Sequence, residues 1–112
     1  MIHNFEAPII IKMYDFYKIF YLETKKWPKP EKYNLGQKCE NIILEILENL
    51  LRASRAKEKQ QFLFDSNIKL QILKMFVRLG KETKIIQYKK YIFLEKELFE
   101  IGKMLGGWLR SI

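Results

Sequence analysis

A chain of 112 residues is one domain's worth, and with 48 % hydrophobic and 14 % aromatic residues it has enough apolar material for a core and some left for contacts between chains. Its single cysteine, Cys39, excludes an intrachain disulfide and fits a reducing compartment, and no run of about eighteen uncharged apolar residues is present to span a membrane. The net charge is +8, and all of it falls between Arg52 and Lys90, where eleven bases oppose three acids; elsewhere ten bases and ten acids cancel.

A positive field concentrated in the middle of the chain points to a polyanionic partner. The bland alternative is a lysine-rich solubilising surface. The opening MIHNFEAPIIIKMYDF has no basic leader and Asp15 interrupts its apolar run, so the expectation is a cytoplasmic protein without a secretion signal.

Four segments show the periodicity of helices, and none alternates as a strand does. The first runs from Pro8, a residue suited to a first helical turn, to Lys25, with Ile9, Met13, Phe16 and Phe20 at three- and four-residue steps. Trp27-Pro28-Lys29-Pro30 ends it, because prolines at that spacing do not fit a helix interior.

The second opens at Asn34-Leu35-Gly36-Gln37, where Asn34 can cap the free amides and Gln37 can reach back. Leu35, Cys39, Ile42, Ile43, Ile46 and Leu50 make its apolar stripe, which continues to about Ala56. Cys39 lies on that stripe and reads as a small core residue rather than a reactive thiol.

The third covers Lys59 to Lys81. Leu63, Leu70, Leu73 and Val77 form one apolar line, while Ile68, Ile72, Phe76 and Leu79 form a second. Together they are wider than one bundle core needs, which suggests subunit contacts. Lys74, Arg78 and Lys81 share the remaining face.

The fourth runs from Gln87 to Arg110, with Tyr91, Leu94, Leu98, Ile101, Leu105 and Trp108 on its apolar side. Four long helices with short connections predict an all-α fold, an antiparallel up-down four-helix bundle that fills residues 1–112 as one domain.

Catalysis finds little support. The one histidine, His3, falls in a stretch expected to fray, so neither a Glu-x-x-His di-iron site nor the Arg-x4-6-His motif of helical nucleases is present. Glu45 with Glu48 and Glu97 with Glu100 are spaced like metal carboxylates, but acids at helical spacing read as solvated faces. Neither a metal nor any other cofactor is expected.

TKKWPKPEKYNLGQK at residues 24–38 and EIGKMLGGWLR at residues 100–110 together resemble the accessory variability determinant (Avd) family of diversity-generating retroelements. The likeness runs over nearly the whole chain, including Arg52-Ala53 at the close of the second helix and the basic third helix. Trp27 stands where the family has phenylalanine and Lys103 where it has arginine. The turn Lys84-Ile85-Ile86-Gln87 lacks the family's serine cap. A related bundle family, encoded within intervening sequences of 23S ribosomal RNA genes, shares the proline entry to the second helix but not the stretch that follows it.

The resemblance implies a non-catalytic protein that assembles into a ring-like homopentamer. It also implies binding to the retroelement's reverse transcriptase and its template RNA or DNA during mutagenic retrohoming. From the residues themselves, Arg52, Arg55, Lys74, Arg78, Lys81 and Lys84 are the candidate phosphate contacts. Gly106, Gly107 and Trp108 are the candidate packing residues, because two missing side chains admit a close neighbour that Trp108 can help to fill. Two rival readings stand beside it: a scaffold that docks an acidic protein through the same basic surface, and a bundle of the 23S ribosomal intervening-sequence type that binds RNA or ribosomes without a reverse transcriptase.

Overall fold

The computed structural model describes residues 7–112, so the expectation for His3 falls outside the described residues. Four helices follow in chain order: α1 (Pro8–Thr24), α2 (residues 29–55), α3 (Gln60–Glu82) and α4 (Tyr88–Arg110), with no strand among the described residues. α1 packs on α2, α2 on α3, α3 on α4, and α4 returns to α1. Connections of four, four and five residues force each helix to reverse on its predecessor, which gives an antiparallel four-helix bundle.

α1 starts at Pro8, whose missing amide hydrogen is not needed in a first turn. It buries Ile9, Ile10, Met13, Phe16 and Phe20, and the Phe20 ring meets Trp27 edge-on at 5.7 Å. At its end Trp27 folds back so that Nε1 donates to the buried carboxylate of Glu23 at 3.2 Å. Trp27 thus seals the end of the core where the family pattern has phenylalanine, and the indole N–H gives Glu23 a partner that phenylalanine could not.

The start of α2 corrects the sequence reading. Asn34 is not a cap, and Gln37 does not reach back. Pro28 stands at the N-cap with extended ψ, Pro30 lies in the first turn, and the helix is already running at Lys29. Proline is tolerated there for the same reason as Pro8, since the first amides of a helix have no acceptor. Residues 32–36 form one π turn, which leads without a break into Gln37–Arg55. Inside a continuous helix, Asn34 and Gln37 bond along the surface instead. Lys38 Nζ donates to Asn34 Oδ1 at 2.6 Å, and Gln37 Nε2 donates to Asn41 Oδ1 at 3.1 Å.

α2 ends without glycine or proline. Ala56 turns to extended backbone, and the Lys59 ammonium donates to the carbonyls of Ala53 at 2.8 Å and Ala56 at 2.7 Å. A cation here meets both the unpaired acceptors and the negative end of the helix dipole. α3 closes differently. Its last carbonyls receive the Thr83 hydroxyl and the amides of Ile85 and Ile86, and Lys84 takes a positive φ of 66°. Gly80 makes that closure fit: a Cβ on it would come within 2.6 Å of Cδ1 of the buried Ile86.

The expected stripes supply the core: Leu35, Cys39, Ile43, Ile46 and Leu50 from α2, Leu63, Leu70, Leu73 and Val77 from α3, and Tyr91, Leu94, Leu98, Ile101 and Leu105 from α4. Burial pushes the Cys39 thiol up to about 12, with the Glu40 charge adding to it, so the cysteine is held as an inert thiol. Ser66 is the exception to a well-paired interior, a fully buried hydroxyl without a hydrogen-bond partner among the described residues.

The second apolar line of α3 does not enter this core. Ile68, Ile72 and Leu79 face outward with Phe64 and Met75, and only Phe76 is half-buried. Ile68, Ile72, Met75 and Leu79 recur at steps of four, three and four residues, the spacing of a coiled-coil seam.

Candidate nucleic-acid interface

The six candidate phosphate ligands separate into groups. Lys74, Arg78 and Lys81 occupy successive turns of α3 and line one concavity of about 400 Å³ with Gln71, Met75, Tyr91 and Glu95. Their spacing of four and three places them on the side of α3 that borders α4, between the core and the outer apolar seam. Arg52 and Arg55 lie elsewhere, at the end of α2, beside a shallow depression lined also by Leu44, Leu47 and Leu51. Lys84 stands alone in the exposed turn between α3 and α4.

Acids temper several of these charges. Arg52 makes two bonds to Glu48, at 3.1 Å from Nε and 2.7 Å from Nη2, and Arg78 Nε donates to Glu82 at 3.0 Å. The Glu82 bond, with the charge behind it, raises Arg78 above its ordinary value. Both pairs are exposed and sit four residues apart on one helix, where solvent screens the attraction and a phosphate can displace the acid. Lys69, also in the basic third of the chain, is held between Glu45 and Asp65 across α2 and α3. Lys59 is occupied as a cap.

Lys74 and Lys81 have no carboxylate within ion-pair distance among the described residues. They are held by apolar and backbone neighbours instead. The Lys81 ammonium lies 5.0 Å from the centroid of the Tyr91 ring, and Tyr91 in turn donates its hydroxyl to Glu95 Oε2 at 2.9 Å. Burial first, and then the bond to Glu95, raise the Tyr91 phenol above its ordinary value. Lys74 Nζ reaches over Gly102 of α4, 3.6 Å from where a Cβ would stand. That is ordinary van der Waals distance, so the lysine lies along the seam between the two helices and a methyl at position 102 would touch it without displacing it.

A second concavity of about 400 Å³ continues the first along α3 and α4, sharing Lys74, Tyr91 and Glu95 and adding Val77, Ile92, Lys96, Leu98 and Phe99. The sequence reading missed this α4 wall. It placed Tyr91 in the core, and the ring is indeed buried, but its hydroxyl end reaches the groove. The signal available was Tyr91-x3-Glu95, a hydrogen-bond spacing on the helix side facing Lys74 and Lys81.

Trp108 packs half-buried on the core. A Cβ at Gly106 would meet only the Arg110 guanidinium, at 3.4 Å, and one at Gly107 would meet nothing within 4 Å. The glycine pair therefore relieves no contact inside the subunit and leaves a bare patch of backbone on the outside of α4. Among the described residues, no group of three His, Cys, Asp or Glu side chains converges as a metal site, and no helix is long and apolar enough to cross a membrane.

With both ends of the motif pattern now placed, one on the Trp27 corner and one on the last turns of α4, a family model described as bAvd-like matches residues 9–112. The chain belongs to the bAvd-like family. No curated protein matches it. In this bAvd-like bundle Ile101 and Leu105 of the closing motif are core residues, Gly102 faces Leu70 and Lys74 of α3, and Gly106 and Gly107 mark the outside of the same helix.

Proposed function

We propose that this bAvd-like protein is a non-catalytic accessory subunit of a diversity-generating retroelement, working in the cytoplasm. It grips template RNA or DNA through the basic face of α3 and presents it to the reverse transcriptase. The observation that carries this reading is the gathering of Lys74, Arg78 and Lys81 into one concavity. Two of these cations lack an acidic partner among the described residues, and the third is paired only at the exposed surface. Arg52, Arg55 and Lys84 are additional phosphate contacts outside that groove, their number set by the path of the strand.

Self-association is part of the proposal. The outward seam of Ile68, Ile72, Met75 and Leu79 is apolar surface of the kind that monomers avoid. A second copy covering it gives the seam a dry partner, and the bare backbone at Gly106 and Gly107 admits close approach at the same stroke. Repeated five times in the ring that the family resemblance implies, a subunit charge of +8 becomes about +40.

Binding through phosphates is salt-dependent in a defined way, because each neutralised phosphate releases a counterion. The test is a titration of labelled RNA with the full-length protein at several salt concentrations. Affinity should fall steeply and linearly on a log–log plot. A flat response, or no binding, would favour the scaffold reading, in which the basic surface docks an acidic protein.

A further inference from the structure

We infer that the groove between α3 and α4 takes an unpaired nucleotide by its base as well as its phosphate, so that the protein selects single-stranded RNA or DNA over duplex. The inference rests on the reading of Lys74, Arg78 and Lys81 as phosphate ligands and asks what the rest of their groove is for.

A site that only neutralised phosphates would need cations and water. This groove has more. Beside the cationic concavity lies a second one, floored by Val77, Ile92, Leu98 and Phe99 and rimmed by Lys74 and Lys96. Phe99 is 58 % exposed and Ile92 43 %, so the floor is open to a planar ligand laid on it. Its volume of about 400 Å³ lies within the range of small-ligand clefts, about 300–1,000 Å³. The two concavities share Lys74, Tyr91 and Glu95, so a strand whose phosphate sits at Arg78 and Lys81 carries its neighbouring base over the apolar floor. Aromatic and apolar platforms beside a basic track are how proteins hold single strands without reading sequence.

Glu95 fits this occupant and no purely phosphate one. A carboxylate repels phosphates, yet it stands in both concavities. Its Oε2 accepts from Tyr91, and its Oε1 has no partner among the described residues. An unpaired base offers ring or exocyclic N–H donors to such an oxygen. In a duplex the ring N–H donors are used in pairing, the exocyclic amino groups keep only the hydrogen that faces a groove, and the base faces are stacked, so the apolar floor has nothing to hold.

The experiment compares a short unstructured RNA with the same strand annealed to its complement, at one salt concentration, on the full-length assembled protein. Its variants are Phe99→Ala and the triple Lys74→Glu, Arg78→Glu, Lys81→Glu. Phe99 is exposed and outside the core, so its truncation leaves the fold intact. The single strand should bind about tenfold tighter than the duplex, and Phe99→Ala should remove that preference while duplex binding stays. The triple variant should lose both ligands. Equal binding of the two ligands by the wild type overturns the inference and leaves the phosphate reading standing, as does a Phe99→Ala protein that keeps its preference. A change of oligomeric mass in Phe99→Ala also overturns it, because a second copy would then be what fills the groove. No binding of either ligand overturns the phosphate reading along with it.

Discussion

The ammonium of Lys81 lies 5.0 Å from the ring centroid of Tyr91, a residue whose ring is core and whose hydroxyl donates to Glu95 at the edge of the groove. Through this contact the packing of α4 fixes the direction of a cation on α3. Tyr91→Phe keeps the ring and loses only the bond to Glu95, a change of about 1 kcal/mol or less in urea denaturation. Tyr91→Ala loses the ring itself, at about 3 kcal/mol, and leaves Lys81 without its support. RNA affinity should follow the same order, with Tyr91→Phe close to wild type.

The Lys59 cap makes a separate claim. Its ammonium is the device that ends α2 in a connection with no glycine or proline. Lys59→Met keeps most of the side chain and removes the donor, so the bundle should lose about 1 kcal/mol. RNA binding should not change, because Lys59 is spent within the fold. A Lys59→Met protein of wild-type stability with weakened RNA binding would reverse both assignments.

Ser66 gives a prediction of opposite sign. A buried hydroxyl without a partner costs about 1–3 kcal/mol, so Ser66→Ala should raise the urea midpoint. A lowered midpoint would mean that the hydroxyl has a partner, such as an internal water.

Cys39 should resist thiol reagents in the folded protein and react at once in denaturant. Its raised value also sets a direction with pH. The folded state keeps the proton that an unfolded thiol gives up above the ordinary 9.0, so the thiol's contribution is intact below that pH and is lost as pH rises toward about 12. Cys39→Ala should therefore flatten the loss of stability across that alkaline range.

The outer seam of α3 is tested by Met75→Asp, with Ile68→Asp as a second variant. Both residues are exposed, at 68 % and 60 %, so the subunit should fold while the assembly falls to smaller species in light scattering. Unchanged mass in both would remove the seam from the subunit interface.

Much of this architecture could be read from periodicity alone. Buried residues recur at three- and four-residue steps within each helix, as in Met13, Phe16 and Phe20 of α1 or Leu70, Leu73 and Val77 of α3. The entry to α2 could not, because Pro28-Lys29-Pro30 reads equally as a stop and as a first turn. What decides between them is Trp27, which turns the chain back onto Glu23 and so lets a helix start at once. The groove was half visible. Cations on one side of α3 can be counted from the sequence, but that Tyr91 and Glu95 of α4 face them depends on how two helices rotate against each other. The +8 counted between Arg52 and Lys90 likewise overstates that segment's free cations, since Arg52 meets Glu48 and Lys69 meets Glu45, acids that lie outside the segment.

What remains is whether Lys74, Arg78 and Lys81 act together on phosphate. The measurement is RNA binding by the protein in which all three are glutamate, at about 0.1 M salt, with its oligomeric mass recorded in the same buffer. Binding should vanish while the mass stays that of the wild type. If that protein still bound RNA, the groove between α3 and α4 would not be the place where nucleic acid is held.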